Sequence, residues 1–305
     1  MKKIASGIYP VMITPYTSDN KIDFEAVDRI VEFYYESGCH GIFAVCQSSE
    51  MFFLSEDERV ALAERVVKAN KGRMNIVASG HISDDIEDQI RELKRISETG
   101  VDGVVMVSNR LAKKEESDEI MIENMQKILS ALPDVTFGMY ECPHPYKRLL
   151  SEKVLAFMAE SGRFAFIKDT CCDENLIEKR VEILNGRVQL FNANCALLLD
   201  TLKSGAAGFS GIMANFHPDI LVWLYENYKT QPETAEKLMS ALSFLSCTEG
   251  LKYPTCCKYH MNLIGVPMTL LCRNRDSSDF GRLDERTIRD LRVTEDEIRK
   301  VIGLK

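Results

Sequence analysis

The chain has 305 residues, of which 45% are hydrophobic and 28% charged, as in a globular protein that can bury a large core. Its formal net charge of −8 argues against a broad surface for nucleic acid or anionic membranes, so neither is expected as a partner. No apolar run is long enough to span a membrane, and the N-terminus lacks the apolar core of a signal peptide, so the expected location is cytoplasmic.

The pattern alternates strand and helix along most of the chain. Short apolar runs predict eight buried strands, over 8–14, 41–45, 75–79, 103–107, 136–140, 164–168, 188–192 and 208–212. Helical spacing of apolar residues predicts helices over 23–37, 55–70, 83–99, from the charged loop 113–116 up to 132, and over 151–161, 175–184, 196–203 and 218–229. Ser55 and Glu58 are placed to form a capping box at the start of the second helix.

Eight strand–helix units with short loops are typical of an α/β protein with a (β/α)8 TIM barrel, and a doubly wound open sheet is the alternative. The count of eight units in one chain favours the barrel. The remaining residues exceed what a barrel needs, so they are predicted to form a helical appendage on its side, with a late capping box at Thr294 and Glu297. The expected organisation is a catalytic barrel over 1–229 and a C-terminal helical extension over 230–305.

Lys168 stands at the carboxyl end of the predicted sixth strand, which is where barrel enzymes form their active sites. A lysine at such a place is costly unless it is paired or its pKa is lowered by burial. A neutral amine on a rigid strand can attack a carbonyl carbon and form a Schiff base. The alternative is a lysine that bends to water or pairs with Asp169.

The other strand ends supply a ring of hydroxyl and amide side chains, with Tyr140 on the strand next to Lys168. The ring contains no cluster of carboxylates and histidines that would hold a divalent metal, so no metal site is expected. Its members are Thr14, 46–50, Gly80, His81, 108–110, Tyr140, Glu141, Lys168, Thr170, 192–194, Ser210 and Gly211.

Ten cysteines are spread along the chain without a C-x-x-C spacing, and two pairs are adjacent in sequence. Adjacent cysteines suit neither zinc nor simple disulfides, so most are expected to be reduced, small apolar residues of the core. An alternative class is a thiol-based redox or metal protein that uses the cysteines near the strand ends, which are Cys46, Cys142, Cys171 and Cys195.

Several short motifs follow one another in a fixed order and spacing. They are Gly7-x-x-Pro10-x-x-x-Thr14-Pro15 with Asp23; Gly38-x-x-Gly41, then Ser48-x-Glu50 and Leu54-Ser55-x-x-Glu58-Arg59; Tyr140-x-x-Pro143; Ile167-Lys168-Asp169-Thr170; and Gly205-Ala206-x-Gly208 with Asn215 and Pro218. Through these residues, nearly the whole chain resembles the dihydrodipicolinate synthase / N-acetylneuraminate lyase family of class I, Schiff-base aldolases.

The resemblance implies roles for the matched residues. Lys168 corresponds to the lysine that forms an imine with the ketone carbon of pyruvate or another 2-oxo acid. Tyr140 corresponds to the tyrosine that shuttles protons, since its hydroxyl both donates and accepts. The turn over 46–50 matches the one that holds the substrate carboxylate. The residues expected to bind substrate are Gln47, Ser48, Thr170 and Ser210.

The chain also departs from the family's pattern. The synthases bring a second tyrosine from across a dimer, where this chain has 107–109 with the sequence Val-Ser-Asn. They place an arginine where Pro145 stands, and Lys147 and Arg148 either replace it or are solvated. The lyases carry acidic residues after the seventh strand, where 192–194 offers only amides. Neither named activity is therefore expected to carry over intact.

We therefore expect a class I lyase or synthase that joins a 2-oxo acid to an aldehyde, or cleaves the product, without a metal or an organic cofactor. Its partners would be these small-molecule substrates, and the resemblance implies a homo-oligomer, either a dimer or a tetramer. A sugar-acid dehydratase that uses the same imine is the nearest alternative. A non-catalytic barrel that binds a 2-oxo acid or an amino acid is another, and trapping of an imine with borohydride separates it from the enzyme.

Overall fold

Eight short parallel strands form the centre of the computed structural model, which describes residues 2–304. They are β1 (Gly7–Ile8), β2 (Gly41–Phe43), β3 (Asn75–Ala78), β4 (Gly103–Val107), β5 (Phe137–Tyr140), β6 (Phe164–Asp169), β7 (Gln189–Asn192) and β8 (Gly208–Phe209). Neighbours pair in the order β1-β8-β7-β6-β5-β4-β3-β2. An isolated parallel bridge between Val11 and Phe43 connects the two ends of this order, so the sheet closes into a barrel.

The predicted (β/α)8 TIM barrel is thus confirmed, and the open doubly wound sheet is wrong. β1 is much shorter than the strand predicted over 8–14, because Pro10 has no N–H to give to a ladder. The Pro10 carbonyl oxygen instead accepts from the Phe43 N–H (2.9 Å), and the Met12 N–H donates to the Phe43 carbonyl oxygen (3.0 Å). The barrel therefore closes through an irregular segment.

β8 begins where β1 approaches so closely that a side chain does not fit. A Cβ atom at Gly208 would lie 1.9 Å from the carbonyl oxygen of Gly7, which belongs to the backbone and cannot move aside. β8 also ends earlier than the predicted boundary at 212, because the chain turns there into a short 3-10 helix, Ile212–Asn215. The regular part of the last strand is therefore only two residues long.

Helices surround the barrel and continue beyond it. They are α1 (Phe24–Glu36), α2 (Glu56–Asn70), α3 (Ile86–Ser97), α4 (Ser108–Leu111), α5 (Asp118–Ala131), α6 (Glu152–Ser161), α7 (Glu174–Leu184), α8 (Leu198–Lys203), α9 (Pro218–Asn227), α10 (Pro232–Leu245), α11 (Thr255–Leu263) and α12 (Arg282–Ile302). Ser55 and Glu58 form the predicted capping box of α2. Within residues 2–304, none of the helices has the length and apolar character that a membrane span requires.

Aromatic side chains fill the barrel next to the predicted lysine. The rings of Tyr9 and Phe166 pack edge-on against Phe191, with centroid distances of 5.0 and 5.9 Å. Gly138 makes room for Phe166, since a Cβ atom there would lie 2.3 Å from its ring. Because Phe166 is held in this way, the backbone two residues further on, at Lys168, is held as well.

The C-terminal extension is less regular than predicted. The segment 246–254 separates α10 from α11, and 264–281 contains no helix or strand. The predicted capping box at Thr294 and Glu297 is wrong, because α12 runs through both residues. The Thr294 hydroxyl donates to the Asp290 carbonyl oxygen (2.9 Å), one turn earlier in the same helix, so it is not free to cap an N-terminus.

A buried carboxylate joins the extension to the barrel. Glu295 on α12 binds His217, at the start of α9, through one oxygen (2.9 Å), and His260, on α11, through the other (2.8 Å). All three side chains are fully buried. Burial acts to raise the pKa of Glu295, but the charges and hydrogen bonds of His260 and His217 outweigh it and lower the pKa to about 2.

Replacing Glu295 with glutamine is expected to lower the free energy of unfolding at pH 7 by about 1–3 kcal/mol, because two buried imidazoles lose a charged partner. A lowered pKa stabilises the fold above the usual glutamate range, and the contribution is lost as the pH falls from 4.5 to about 2. Urea unfolding of both proteins at neutral and acid pH measures the difference. A difference that does not shrink at acid pH would contradict this role of Glu295.

Candidate active site

A cavity of about 250 Å³ opens at the carboxyl ends of the strands. Strand ends and the extension both contribute to its lining, which consists of Gln47, Ser48, Tyr140, Pro143, Lys168, Thr170, Ala193, Gly211, Ile212, Glu249, Tyr253 and Asn274. The structure thus brings together most of the residues predicted to form the site. Across residues 2–304, no three His, Cys, Asp or Glu side chains are grouped so that they could hold a metal ion.

Lys168 lies near the end of β6 and is only 5% exposed. It pairs in register with Tyr140 on β5 and with Phe191 on β7. Its Nζ lies 4.4 Å from the centre of the Tyr140 ring and 5.4 Å from the centre of the Phe43 ring. Burial lowers the pKa of Lys168, which raises the fraction of neutral amine. The alternative of a lysine that bends to water is therefore wrong.

Asp169 does not pair with Lys168, because Arg180 holds it. This buried guanidinium on α7 binds both Asp169 and Glu141, and the two carboxylates are completely buried. Glu141 also accepts from the Thr170 N–H (3.0 Å), and the Thr170 hydroxyl donates to the Glu141 carbonyl oxygen (2.8 Å). The cluster of Glu141, Asp169 and Arg180, here called the Arg180 cluster, joins the ends of β5 and β6. It leaves the lysine amine facing the cavity.

The turn over 46–50 is fixed by Ser49. The Ser49 hydroxyl lies within hydrogen-bonding distance of the carbonyl oxygens of Met12 (2.7 Å) and Ala44 (2.8 Å). The Ser49 carbonyl oxygen accepts from the Thr14 hydroxyl (2.7 Å). Because Ser49 points into the protein, the two residues before it in the turn are left to face the cavity.

Gln47 and Ser48 are those two residues. The Gln47 side-chain oxygen accepts from the thiol of Cys142 (3.3 Å), which burial keeps protonated by raising its pKa to about 11. The Gln47 NH₂ group is then left as a donor. The Ser48 hydroxyl lies beside the phenol of Tyr253. Amide and hydroxyl donors at one turn suit a carboxylate ligand.

Three lining residues come from the extension and were not predicted from the sequence: Glu249, Tyr253 and Asn274. Asn274 is placed by Glu50, whose carboxylate accepts from the backbone N–H groups of Arg273 and Asn274. The Tyr253 hydroxyl accepts from the side-chain amide of Asn215 (3.2 Å). The sequence signal for these residues is a break in the helical pattern, which does not reveal where the broken segment packs.

The titratable groups of the cavity have unusual proton affinities. Burial raises the pKa of Glu249 to about 7, against the opposing charge of Lys168. Burial also raises the pKa of Tyr140 and Tyr253 well above 10, so both phenols stay protonated. Burial likewise raises the pKa of the Cys195 thiol, and the charge of Glu249 adds to this effect. The cavity thus combines an amine, a carboxyl group that titrates near neutral pH, and two neutral phenols.

The model of the dihydrodipicolinate synthetase family matches residues 4–275. The chain belongs to this family. An uncharacterized DapA-like lyase from Pyrococcus abyssi is 30% identical over 243 residues, which cover 79% of this chain and 81% of the relative. The predicted resemblance is therefore confirmed, and the chain is a family lyase.

Two solved structures share the fold. N-acetylneuraminate lyase from Fusobacterium nucleatum superposes with a TM-score of 0.85 at 17% identity and covers 95% of this chain and 98% of its own. The chloride-inhibited dihydrodipicolinate synthase from Acinetobacter baumannii, complexed with pyruvate, has a TM-score of 0.84 at 19% identity, with 97% and 100% covered. At these identities the two structures support the fold alone.

Two cations near the mouth do not line the cavity of this dihydrodipicolinate synthetase family member. The Lys147 ammonium donates to the Thr170 carbonyl oxygen (2.7 Å). The Arg148 guanidinium pairs with Asp118 (3.3 Å). Neither cation therefore replaces the arginine in the cavity. Lys147 is exposed, as the second alternative has it, whereas Arg148 is largely enclosed by protein groups. Asn109, the last residue of the stretch 107–109, donates to backbone carbonyls of the loop after β5.

Ser210 is the one predicted site residue that does not line the open cavity. It lines a small apolar cavity inside the barrel together with Lys168, while its neighbour Gly211 lines the open cavity. The predicted role of its backbone carbonyl stays a prediction. His81 is a structural residue, because it is fully buried and accepts from the Val107 N–H through Nδ1 (2.9 Å). All ten cysteines are free of disulfides, as expected.

Proposed function

We propose that this family lyase forms a Schiff base between Lys168 and pyruvate or another 2-oxo acid, and makes or breaks a carbon–carbon bond with an aldehyde partner. The placement of Lys168 carries the proposal. Its amine is buried at the mouth of the barrel, burial lowers its pKa, and the Arg180 cluster keeps Asp169 from pairing with it. A neutral amine at a fixed position is what nucleophilic attack on a carbonyl requires.

The reaction would begin with attack of the Lys168 Nζ on the ketone carbon of the 2-oxo acid. The phenol of Tyr140, the residue paired with Lys168 in the sheet, would donate a proton to the carbinolamine oxygen, which leaves as water. The resulting iminium withdraws electrons from the neighbouring carbon, so that a carbon–carbon bond at this carbon can form or break. Since the imine itself accepts the electrons, the proposal needs neither a metal ion nor an organic cofactor.

The substrate carboxylate would bind at the turn over 46–50. Gln47 offers its amide NH₂ and Ser48 its hydroxyl, and Thr170 lines the same cavity beside Lys168. The synthase from Acinetobacter baumannii has pyruvate in its structure, which supports pyruvate as the first substrate to test.

Borohydride trapping tests the proposal. The protein is incubated with pyruvate, sodium borohydride is added, and the intact mass is measured. Reduction of the imine is expected to add one reduced pyruvyl group irreversibly. Lactate, which has no ketone, is the matched control and should add nothing. No mass gain with pyruvate or with a panel of other 2-oxo acids would contradict the proposal and favour the non-catalytic binding barrel.

The second half of the proposal concerns the aldehyde partner. A panel of aldehydes is assayed for consumption of pyruvate, and a panel of aldol products for its release. A dehydratase would instead consume a sugar acid without releasing pyruvate, so the same panel separates the two reactions.

From its family we also infer a homo-oligomer, either a dimer or a tetramer, which light scattering of the purified protein tests.

A further inference from the structure

Glu249 occupies a part of the cavity that the Schiff-base steps described above do not use. It follows the short 3-10 turn Ser246–Thr248 after α10, and its N–H donates to the Ser246 carbonyl oxygen (3.0 Å). The Leu251 N–H then donates to the Thr248 carbonyl oxygen (3.0 Å). A hydrogen-bonded turn of the extension therefore holds this carboxyl group in the lining of the cavity.

One carboxyl oxygen of Glu249 has no hydrogen-bond partner in the protein. Its Oε1 is buried and makes no hydrogen bond to any residue of 2–304. The Lys168 amine from β6 and the Cys195 thiol after β7 lie near enough to interact electrostatically with it, and Lys168 and the phenols of Tyr140 and Tyr253 line the same cavity. A buried polar atom without a protein partner is available to a bound molecule, and a substrate in the cavity would supply that partner.

The neighbouring phenols and thiol are poor bases at neutral pH, because they already carry their protons. Both phenols hold their protons, because burial raises the pKa of each well above 10. The Cys195 thiol is protonated for the same reason. Glu249, with a pKa of about 7, can both take up and release a proton under these conditions. Proton transfer is most efficient when the pKa of the group lies near the working pH.

We propose that Glu249 is a catalytic residue that moves a proton to and from C3 of the 2-oxo acid bound to Lys168, an inference that rests on the Schiff-base function proposed above. The Glu249 carboxylate takes the C3 proton. The C–H electron pair becomes a C2–C3 double bond, and the C=N electron pair moves to the nitrogen, which gives a neutral enamine and a protonated Glu249. When the enamine attacks an aldehyde, this proton passes to the new alkoxide oxygen.

Hydrogen exchange of pyruvate tests the proposal without knowledge of the aldehyde. Pyruvate is incubated with the enzyme in D₂O, and loss of its methyl proton signal is followed by NMR, with the uncatalysed rate subtracted. Glu249→Gln is expected to lower the exchange rate by about 100-fold or more, since general acid–base groups contribute this much. Borohydride trapping should be retained, because imine formation does not need Glu249.

Glu233→Gln is the matched control, since Glu233 is an exposed glutamate in the first turn of α10, on the same extension. This variant should catalyse hydrogen exchange of pyruvate, and trap pyruvate with borohydride, to the same extent as the wild-type protein. The wild-type exchange rate, corrected for trapping at each pH, is expected to rise as the pH passes through about 7, because the carboxylate is the base. Glu249→Gln should lack this rise.

The outcomes separate the two proposals. If Glu249→Gln catalyses hydrogen exchange of pyruvate at the wild-type rate and still traps pyruvate, the role of Glu249 is overturned and the proposed Schiff base is unaffected. No trapping in the wild-type protein would overturn the Schiff base itself. If Glu249→Gln does not fold, as judged by circular dichroism, Glu249→Asp decides the question. Its shorter side chain withdraws the carboxyl group, so this variant should catalyse hydrogen exchange of pyruvate more slowly than the wild-type protein while its rate still rises near neutral pH. An unchanged exchange rate would overturn the role of Glu249.

Discussion

Replacing Lys168 with alanine is expected to abolish trapping of pyruvate and to lower the carbon–carbon lyase activity by about 10⁴-fold or more, as loss of a nucleophile does in other enzymes. No other amine lines the cavity within residues 2–304, so none can take its place. The fold should survive, because the change removes a buried amine rather than a partner that another charge needs. Intact mass after borohydride, pyruvate release and the urea unfolding midpoint measure the three effects.

Lys147→Ala is the control for Lys168. Its ammonium donates to the Thr170 carbonyl oxygen (2.7 Å) near the same mouth but does not line the cavity. This variant should trap pyruvate like the wild-type protein. Lys168→Arg keeps a positive charge and removes the nucleophile, so it should fail like the alanine variant. A pyruvyl mass gain in Lys168→Ala would place the imine on another lysine and contradict the proposed function.

Replacing Arg180 with methionine is expected to lower the free energy of unfolding by about 3–5 kcal/mol, because it leaves two buried carboxylates without their cation. Glu141 and Asp169 are both completely buried, and burial together with Asp169 already raises the pKa of Glu141. Urea unfolding at pH 7 measures the loss. Without Arg180, the Asp169 carboxylate is expected to stabilise the protonated form of Lys168. Because only the neutral amine attacks the ketone, imine formation and therefore trapping at neutral pH should also slow.

Lys153→Met is the control for Arg180. Lys153 pairs with Glu119, but the two side chains are 56% and 66% exposed. An exposed pair contributes about 0–1 kcal/mol, so the variant should unfold almost like the wild-type protein. An Arg180→Met protein as stable as Lys153→Met would show that the Arg180 cluster does not stabilise the fold.

The positions of the strands could be predicted because each strand is a short, buried apolar run. The carboxyl-end rule then put Lys168 and Tyr140 at one edge of the sheet, and the observed register sets them side by side. The errors have local causes. Pro10 interrupts the first ladder, and Thr294 lies inside a helix whose sequence happens to contain a capping pattern.

The rest of the cavity could not be predicted, because it depends on contacts between distant residues. Asn274 reaches the cavity only because the Glu50 carboxylate binds the backbone around it. Arg180 looks like an ordinary helical cation in the sequence, although it is fully buried between two carboxylates. Glu249 lies in a segment with no periodic pattern, and its position follows from how α10 and α11 meet the barrel.

The two sides of the cavity are encoded separately. The ladder between β5 and β6 aligns Tyr140 with Lys168, whereas the outer side comes from 246–254 and from Asn274. Substitutions at Tyr253 and Asn274 leave both that ladder and Glu249 untouched, so the range of accepted aldehydes can diverge in evolution while the carbonyl chemistry is inherited unchanged. A mutant library aimed at a new aldehyde partner is therefore best concentrated at Tyr253 and Asn274, with Glu249 kept.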